Sequence, residues 1–177
     1  YVLLQSTHQE YPIYQSILER YVLGKLLWNP NYDMNELIAE FHQYYFGDIA
    51  ASYATEYVEL MITAEYEALE ADNWSQSTGL KYASKPLLEK AIGLLDQAIG
   101  EVEASDLPRE QKDTYIQRLE VVKLQPRYMY LYNYMQYETD ETQMKIELRQ
   151  FIRDAMSHGA VWCREGCKFD LDHLIFY

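Results

Sequence analysis

The chain has 177 residues, and 15 Lys and Arg against 28 Asp and Glu give it a formal net charge of −13. A protein that neutralises phosphates needs a basic face, so this balance argues against nucleic acid and anionic membrane as partners. At 49% hydrophobic residues the chain is too apolar for a disordered acidic tail, and its length fits one compact domain that buries a core without staples.

Residues 1–5, Tyr-Val-Leu-Leu-Gln, are a short apolar run bounded by polar residues and read as a strand. A chain that opens inside a strand, without Met and without the regions of a signal peptide, reads as a fragment of a larger protein. From residue 11 the period becomes helical, and Ile13, Ile17, Tyr21, Leu23, Leu26 and Leu27 line one broad face. Asn29-Pro30 stops this helix, because the residue before proline avoids the α region. Residues 21–28 are the most apolar run, but they are too short to cross a bilayer and contain Lys25, so no membrane span is expected.

Asp33 caps a second helix with Glu36 in capping-box position, Met34, Leu37, Ile38, Phe41, Tyr44 and Tyr45 form its stripe, and Gly47 ends it. Asp48 caps a third helix reaching residue 71, with Tyr53, Tyr57, Leu60, Met61, Ala64 and Ala68 inward. Residues 73–86 carry Asn, Ser, Thr, Gly and Pro and read as the longest loop. The fourth helix sets Leu87, Leu88, Ala91, Leu94, Leu95, Ala98, Ile99 and Val102 against a face of Glu89, Lys90, Asp96 and Glu101.

After a turn at 105–108, residues 111–125 read as a helix that Pro126 should kink or break. In residues 128–137 several of the 18 tyrosines recur at period two, as a strand would show them. Helix is the reading, because a lone strand between helices has no partner. The tyrosines then act first as core fillers, and second as an aromatic platform for stacking sugars. A last helix, 143–157, is capped by Thr139 or Asp140 and ends at His158-Gly159, and Leu171, Leu174, Ile175 and Phe176 should dock the tail on the core.

The chemistry is sparse. Cys163 and Cys167, in C-R-E-G-C, could form a disulfide, half of a metal site or two unlinked thiols; His158 and His173 lie nearby at separations that match no zinc finger, and unlinked thiols are the first reading. Di-iron bundles need Glu-x-x-His pairs, and none is present. Glu40 with His42, and Asp154 with His158, read as solvated helix faces. No phosphate loop, nucleophile elbow or H-E-x-x-H helix occurs, and Glu65, Glu67, Glu70, Glu101 and Glu103 read as wet faces. No catalytic residue, metal ligand or cofactor is assigned.

Residues 21–47 read Y-V-L-G-K-L-L-W-N-P-N-Y-D-M-N-E-L-I-A-E-F-H-Q-Y-Y-F-G. This stretch resembles the C-terminal region of a family of large bacterial glycan-degrading proteins, long labelled a domain of unknown function, some of whose members are endo-β-N-acetylglucosaminidases. α-Glucuronidases have a looser version. The features that carry the likeness are K-L-L-W-N-P, the acidic cap and the tyrosine-rich ending before Gly47, with Phe46 a departure from Y-Y-G.

The resemblance implies that residues 1–30 are the last strand and helix of a (β/α)8 barrel and that residues 31–177 are an all-α, bundle-like C-terminal domain. Loops at the C-terminal ends of barrel strands border the active site, so Gln5, His8 and Glu10, with Ser6 and Thr7, would edge a sugar cleft, and Trp28 would pack the barrel helix against the helical domain. The function so implied is the non-catalytic helical portion of a retaining or substrate-assisted glycoside hydrolase. Its catalytic carboxylates would lie upstream, its partners would be the rest of the catalytic polypeptide and an oligosaccharide, and its location would be extracytoplasmic in a bacterium. In isolation the uncovered barrel helix would pack back or form a homodimer. The competing reading is a stand-alone helical domain that binds glycans or acts as a protein-interaction scaffold.

Overall fold

The computed structural model describes residues 14–71, 83–137, 140–160, 162–164 and 167–168. Six helices follow one another among these residues: α1 (Tyr14–Trp28), α2 (Met34–Ala71), α3 (Lys85–Ala104), α4 (Arg109–Tyr132), α5 (Tyr134–Tyr137) and α6 (Glu141–Ser157). A small antiparallel hairpin follows, β1 (Trp162–Arg164) with β2 (Cys167–Lys168). The fold is thus mainly α-helical. The expected strand at 2–5, the loop residues 73–82 and the apolar tail at 171–176 lie outside the described residues.

Local sequence explains where the helices start. Asp33 Oδ1 accepts from the backbone N–H groups of Asn35 and Glu36 at the head of α2. Ser84 Oγ accepts from Leu87 N–H, and Pro86 sits in the first turn of α3, where its missing donor is harmless; it belongs to the helix and not to the loop that precedes it. Asp140, one of the two expected caps, accepts from Thr142 and Gln143 at the start of α6, and Gly159 (φ 82°) follows its end.

The core joins α1, α2, α3 and α4, with α3 lying between α2 and α4. Leu88, Ala91, Leu95, Ala98 and Val102 are fully buried, so the periodic stripe of α3 becomes the centre of the molecule. A second cluster of Leu131, Tyr134, Leu148, Phe151, Ile152 and Ala155 seats α6 on α4 and α5.

Two expectations about helices need correction. Helix α4 runs through Pro126 without a break. The lost hydrogen bond and ring clash cost about 3 kcal/mol, and the burial of Pro126, Met129 and Leu131 on the turns around it offsets that cost. Helix α1 is rotated from its expected face: Tyr14, Leu18 and Val22, spaced four apart, are buried, Ile17, Tyr21 and Leu26 flank them, and Leu23 and Leu27 point away. An arc that included both Leu23 and Leu27 is wider than one packing face; the side carrying a buried hydrogen-bond partner for Tyr14 is the one that docks.

Gly47 interrupts α2 where the sequence places a helix end. Its backbone, at φ 76° and ψ 167°, lies in a region that is essentially glycine-only. A Cβ there would also lie 2.7 Å from Tyr115 Cε2 on α4. Arg118 Nη1 donates to the Tyr45 carbonyl at 2.6 Å and its guanidinium covers the Tyr45 ring at 4.4 Å. Gln43 Nε2 donates to Asp48 Oδ1 across the break. The two arms of α2, 34–46 and 48–71, therefore meet at a bend held from outside by α4.

Gly47→Ala should lower the unfolding free energy by about 2 kcal/mol or more, from the disallowed backbone and the tyrosine clash. Gly100→Ala, on the open surface of α3 where an added Cβ meets nothing, should raise it by about 0.5–1 kcal/mol. Urea unfolding of both variants checks the pair, and equal effects would contradict the bend.

Candidate functional site

Beneath the bend lies a polar chain whose central imidazole is closed to water. His42 on the first arm of α2 is 0% exposed, enclosed by Tyr14, Phe41 and Phe46. Thr55, on the second arm, donates its hydroxyl to the Ala51 carbonyl at 3.0 Å. Its oxygen must therefore accept the 2.7 Å bond from His42 Nδ1, which fixes Nδ1 as the protonated nitrogen. His42 Nε2 is left with a lone pair, and the Tyr14 hydroxyl on α1 donates to it. One direction of donation runs from Tyr14 through His42 and Thr55 to a backbone carbonyl.

Burial sets the electrostatics of this chain. With no charged partner in contact, His42 is pushed down from 6.5 to about 4 by desolvation. Tyr14 is pushed well above the usual tyrosine range, first by desolvation and then by the neighbouring Tyr57 and Tyr45. At neutral pH every member is uncharged. The arrangement can fasten three helical arms together, but it offers no atom to a substrate.

The solvated reading of His42 is thus overturned. The signal that would have found it is its register: Ile38 four residues before and Phe46 four after put His42 on the apolar stripe, a stronger cue than its spacing from Glu40. Glu40 itself pairs with Lys25 of α1 at 3.3 Å, and Asp154, also read as a solvated face, pairs with Arg127 at 2.8 Å.

The other predicted groups fall in three places. Gln5, His8 and Glu10 lie outside the described residues, as do Ser6 and Thr7. Trp28 is 88% exposed as the last residue of α1, so it does not pack that helix against the described helical core. Cys163 and Cys167 fall on β1 and β2, where the register pairs Arg164 with Cys167.

The tyrosines of 128–137 resolve into two interleaved helical ladders. Tyr128 and Tyr132 lie 6.2 Å apart, and Tyr130 and Tyr134 lie 6.0 Å apart edge to face, each pair four residues apart. Tyr134 is buried and Tyr128 packs on Phe151 of α6, while Tyr132 turns outward at 53% exposure. Tyr137 donates its hydroxyl to the Ala83 carbonyl, tying the entrance of α3 to α5. Tyr134 thus fills the core, Tyr128, Tyr130 and Tyr137 pack half-buried against it, and Tyr132 faces solvent.

An open groove of about 530 Å³ runs between α3, α4 and α6. Its two cations are already engaged, Lys123 with Asp96 and Glu120 and Arg127 with Asp154. Among the described residues, no group of three or more His, Cys, Asp or Glu could hold a metal ion, and no helix is long and apolar enough to cross a membrane.

Residues 3–59 match the model of a family described as "Domain of unknown function (DUF4838)", a span that includes α1, the Asn29–Pro30 stop, the Gly47 bend and Thr55. No curated protein and no solved structure matches the chain.

Tyr14→Phe should cost about 1–3 kcal/mol at neutral pH, because it leaves His42 Nε2 buried without a donor. Combining it with His42→Leu should cost less than the two single changes added together, since both polar partners are then gone. A double-mutant cycle by urea unfolding checks this, and strict additivity would contradict the hydrogen-bonded chain.

Proposed function

We propose that the chain is the non-catalytic, helical C-terminal portion of a glycoside hydrolase. In this reading residues 1–30 complete a (β/α)8 barrel, Gln5, His8 and Glu10 border the sugar cleft, and the helical remainder buttresses the barrel. The catalytic carboxylates lie upstream, one protonating the leaving oxygen, and the protein acts on glycans outside the bacterial cytoplasm. This chain contributes support and a cleft edge.

The observation that carries the reading is that α1 exposes two leucines on the side turned away from α2. Its inward stripe of Tyr14, Leu18 and Val22 is docked on α2, while on the other side Leu23 and Leu27 remain 40% and 55% exposed beside the exposed Glu19 and Arg20. A helix on the surface of a bundle carries polar residues on its outer face. A barrel helix clamped between its strands and a following domain needs apolar side chains on both sides, and Leu23 and Leu27 supply them on the outer side of α1. The family match over residues 3–59 supports placing this helix and the first part of α2 together in one conserved unit of the model, and the glycan-degrading assignment rests on the sequence resemblance alone.

Leu27→Asp separates this reading from that of a free-standing domain. It should destabilise the product of the whole gene by about 2 kcal/mol or more, and the 177-residue chain alone by less than about 0.5 kcal/mol. The product of the whole gene should hydrolyse N-glycans or plant glucuronides, and the isolated chain should not. Equal effects of Leu27→Asp in both, or turnover by the isolated chain, would overturn the proposal.

A further inference from the structure

We infer that the Tyr14–His42–Thr55 chain is an acid-operated latch, in which proton uptake by His42 releases α1 from α2 while the α2–α3–α4 core stays folded. The geometry supports this in three ways. Among the described residues helix α1 packs mainly on α2 and, less extensively, on α4, and connects to α2 by the short turn 29–33, so its docking is separate from the main α2–α3 and α3–α4 interfaces. The hydrogen bond that fixes its first turn ends on the one ring nitrogen that would take a proton, and a protonated Nε2 cannot accept from Tyr14. Among the described residues no carboxylate faces the imidazole: α1 presents Tyr14, α2 presents Thr55 with the nearby Tyr45 and Tyr57, and α4 presents Gln125 and Arg118, which hold Tyr57 and Tyr45. A charge formed at His42 has no counterion among the described residues in the docked state. Undocking of α1 uncovers the ring and lets water solvate it.

The sign follows from linkage. His42 titrates near 4 when docked and near 6.5 when solvated, so the open state binds more protons between those values. Docking is complete above about pH 6.5 and weakens as pH falls toward 4. Between pH 7.5 and 4.5 the equilibrium for opening α1 should rise on the order of 70-fold. The released face would display Tyr14, Leu18 and Val22, the residues that carry α1 on the helical core.

Hydrogen exchange of the 177-residue chain at pH 7.5 and 4.5, corrected for intrinsic rates, tests the latch. The expected result is loss of protection in α1 at the lower pH with protection in α3 and α4 retained. His42→Gln, whose amide accepts from Tyr14 and donates to Thr55 without titrating, should keep α1 protected at both pH values. Simultaneous loss of protection in α1 and α3 would overturn the inference, as would an α1 equally protected at both pH values in the unaltered chain. Since the α1 and α3 signals come from one molecule, the test stands even if the variant folds poorly. It is also independent of whether the protein acts on glycans.

Discussion

The hydrogen-bonded chain from Tyr14 through His42 to Thr55 joins three helical arms, and it exists only because Gly47 bends α2 so that residues 42 and 55 face one another. A straight α2 would carry those residues along one rod. The bend is held by groups from elsewhere: the Tyr115 ring occupies the space a Cβ would need, and Arg118 takes the Tyr45 carbonyl at the end of the first arm. Helix α4 thereby shapes α2, and α2 in turn offers Tyr14 of α1 a buried hydrogen-bond partner. Burial of an imidazole without a counterion is tolerable because both nitrogens are satisfied and the ring is neutral.

Much of this was readable in the residues. Caps at Asp33 and Asp140 and the apolar stripe of α3 followed from side-chain chemistry and period, and Gly47 marked the end of a helical run. The misread features depend on contacts between elements. Pro126 looked like a breaker because the cost of proline is local, whereas the packing that offsets it comes from α6 and the turns on either side. Helix α1 has apolar residues around most of its circumference, so period alone could not choose the docked side. The tyrosines of 128–137 looked strand-like because two ladders four residues apart, offset by two, sum to a period of two.

The candidate site divides in the same way. A buried histidine on an apolar stripe could be found from Ile38 and Phe46, but its tautomer required the Thr55 hydroxyl, which arrives from across the bend. Residues expected to edge a sugar cleft, Gln5, His8 and Glu10, precede the described residues. What the fold supplies to the proposed hydrolase is a two-sided helix: one face is latched to the helical core by His42, and the other carries Leu23 and Leu27 into solvent. Such a helix can transmit the stability of one unit to the other, which makes its docking the natural point of control.

Nitrogen-detected NMR of the His42 ring at neutral pH tests this account most directly. It predicts a neutral imidazole protonated at Nδ1, with Nε2 unprotonated and coupled to a slowly exchanging Tyr14 hydroxyl. A ring protonated at Nε2, or an imidazolium titrating at the ordinary value near 6.5, would contradict it.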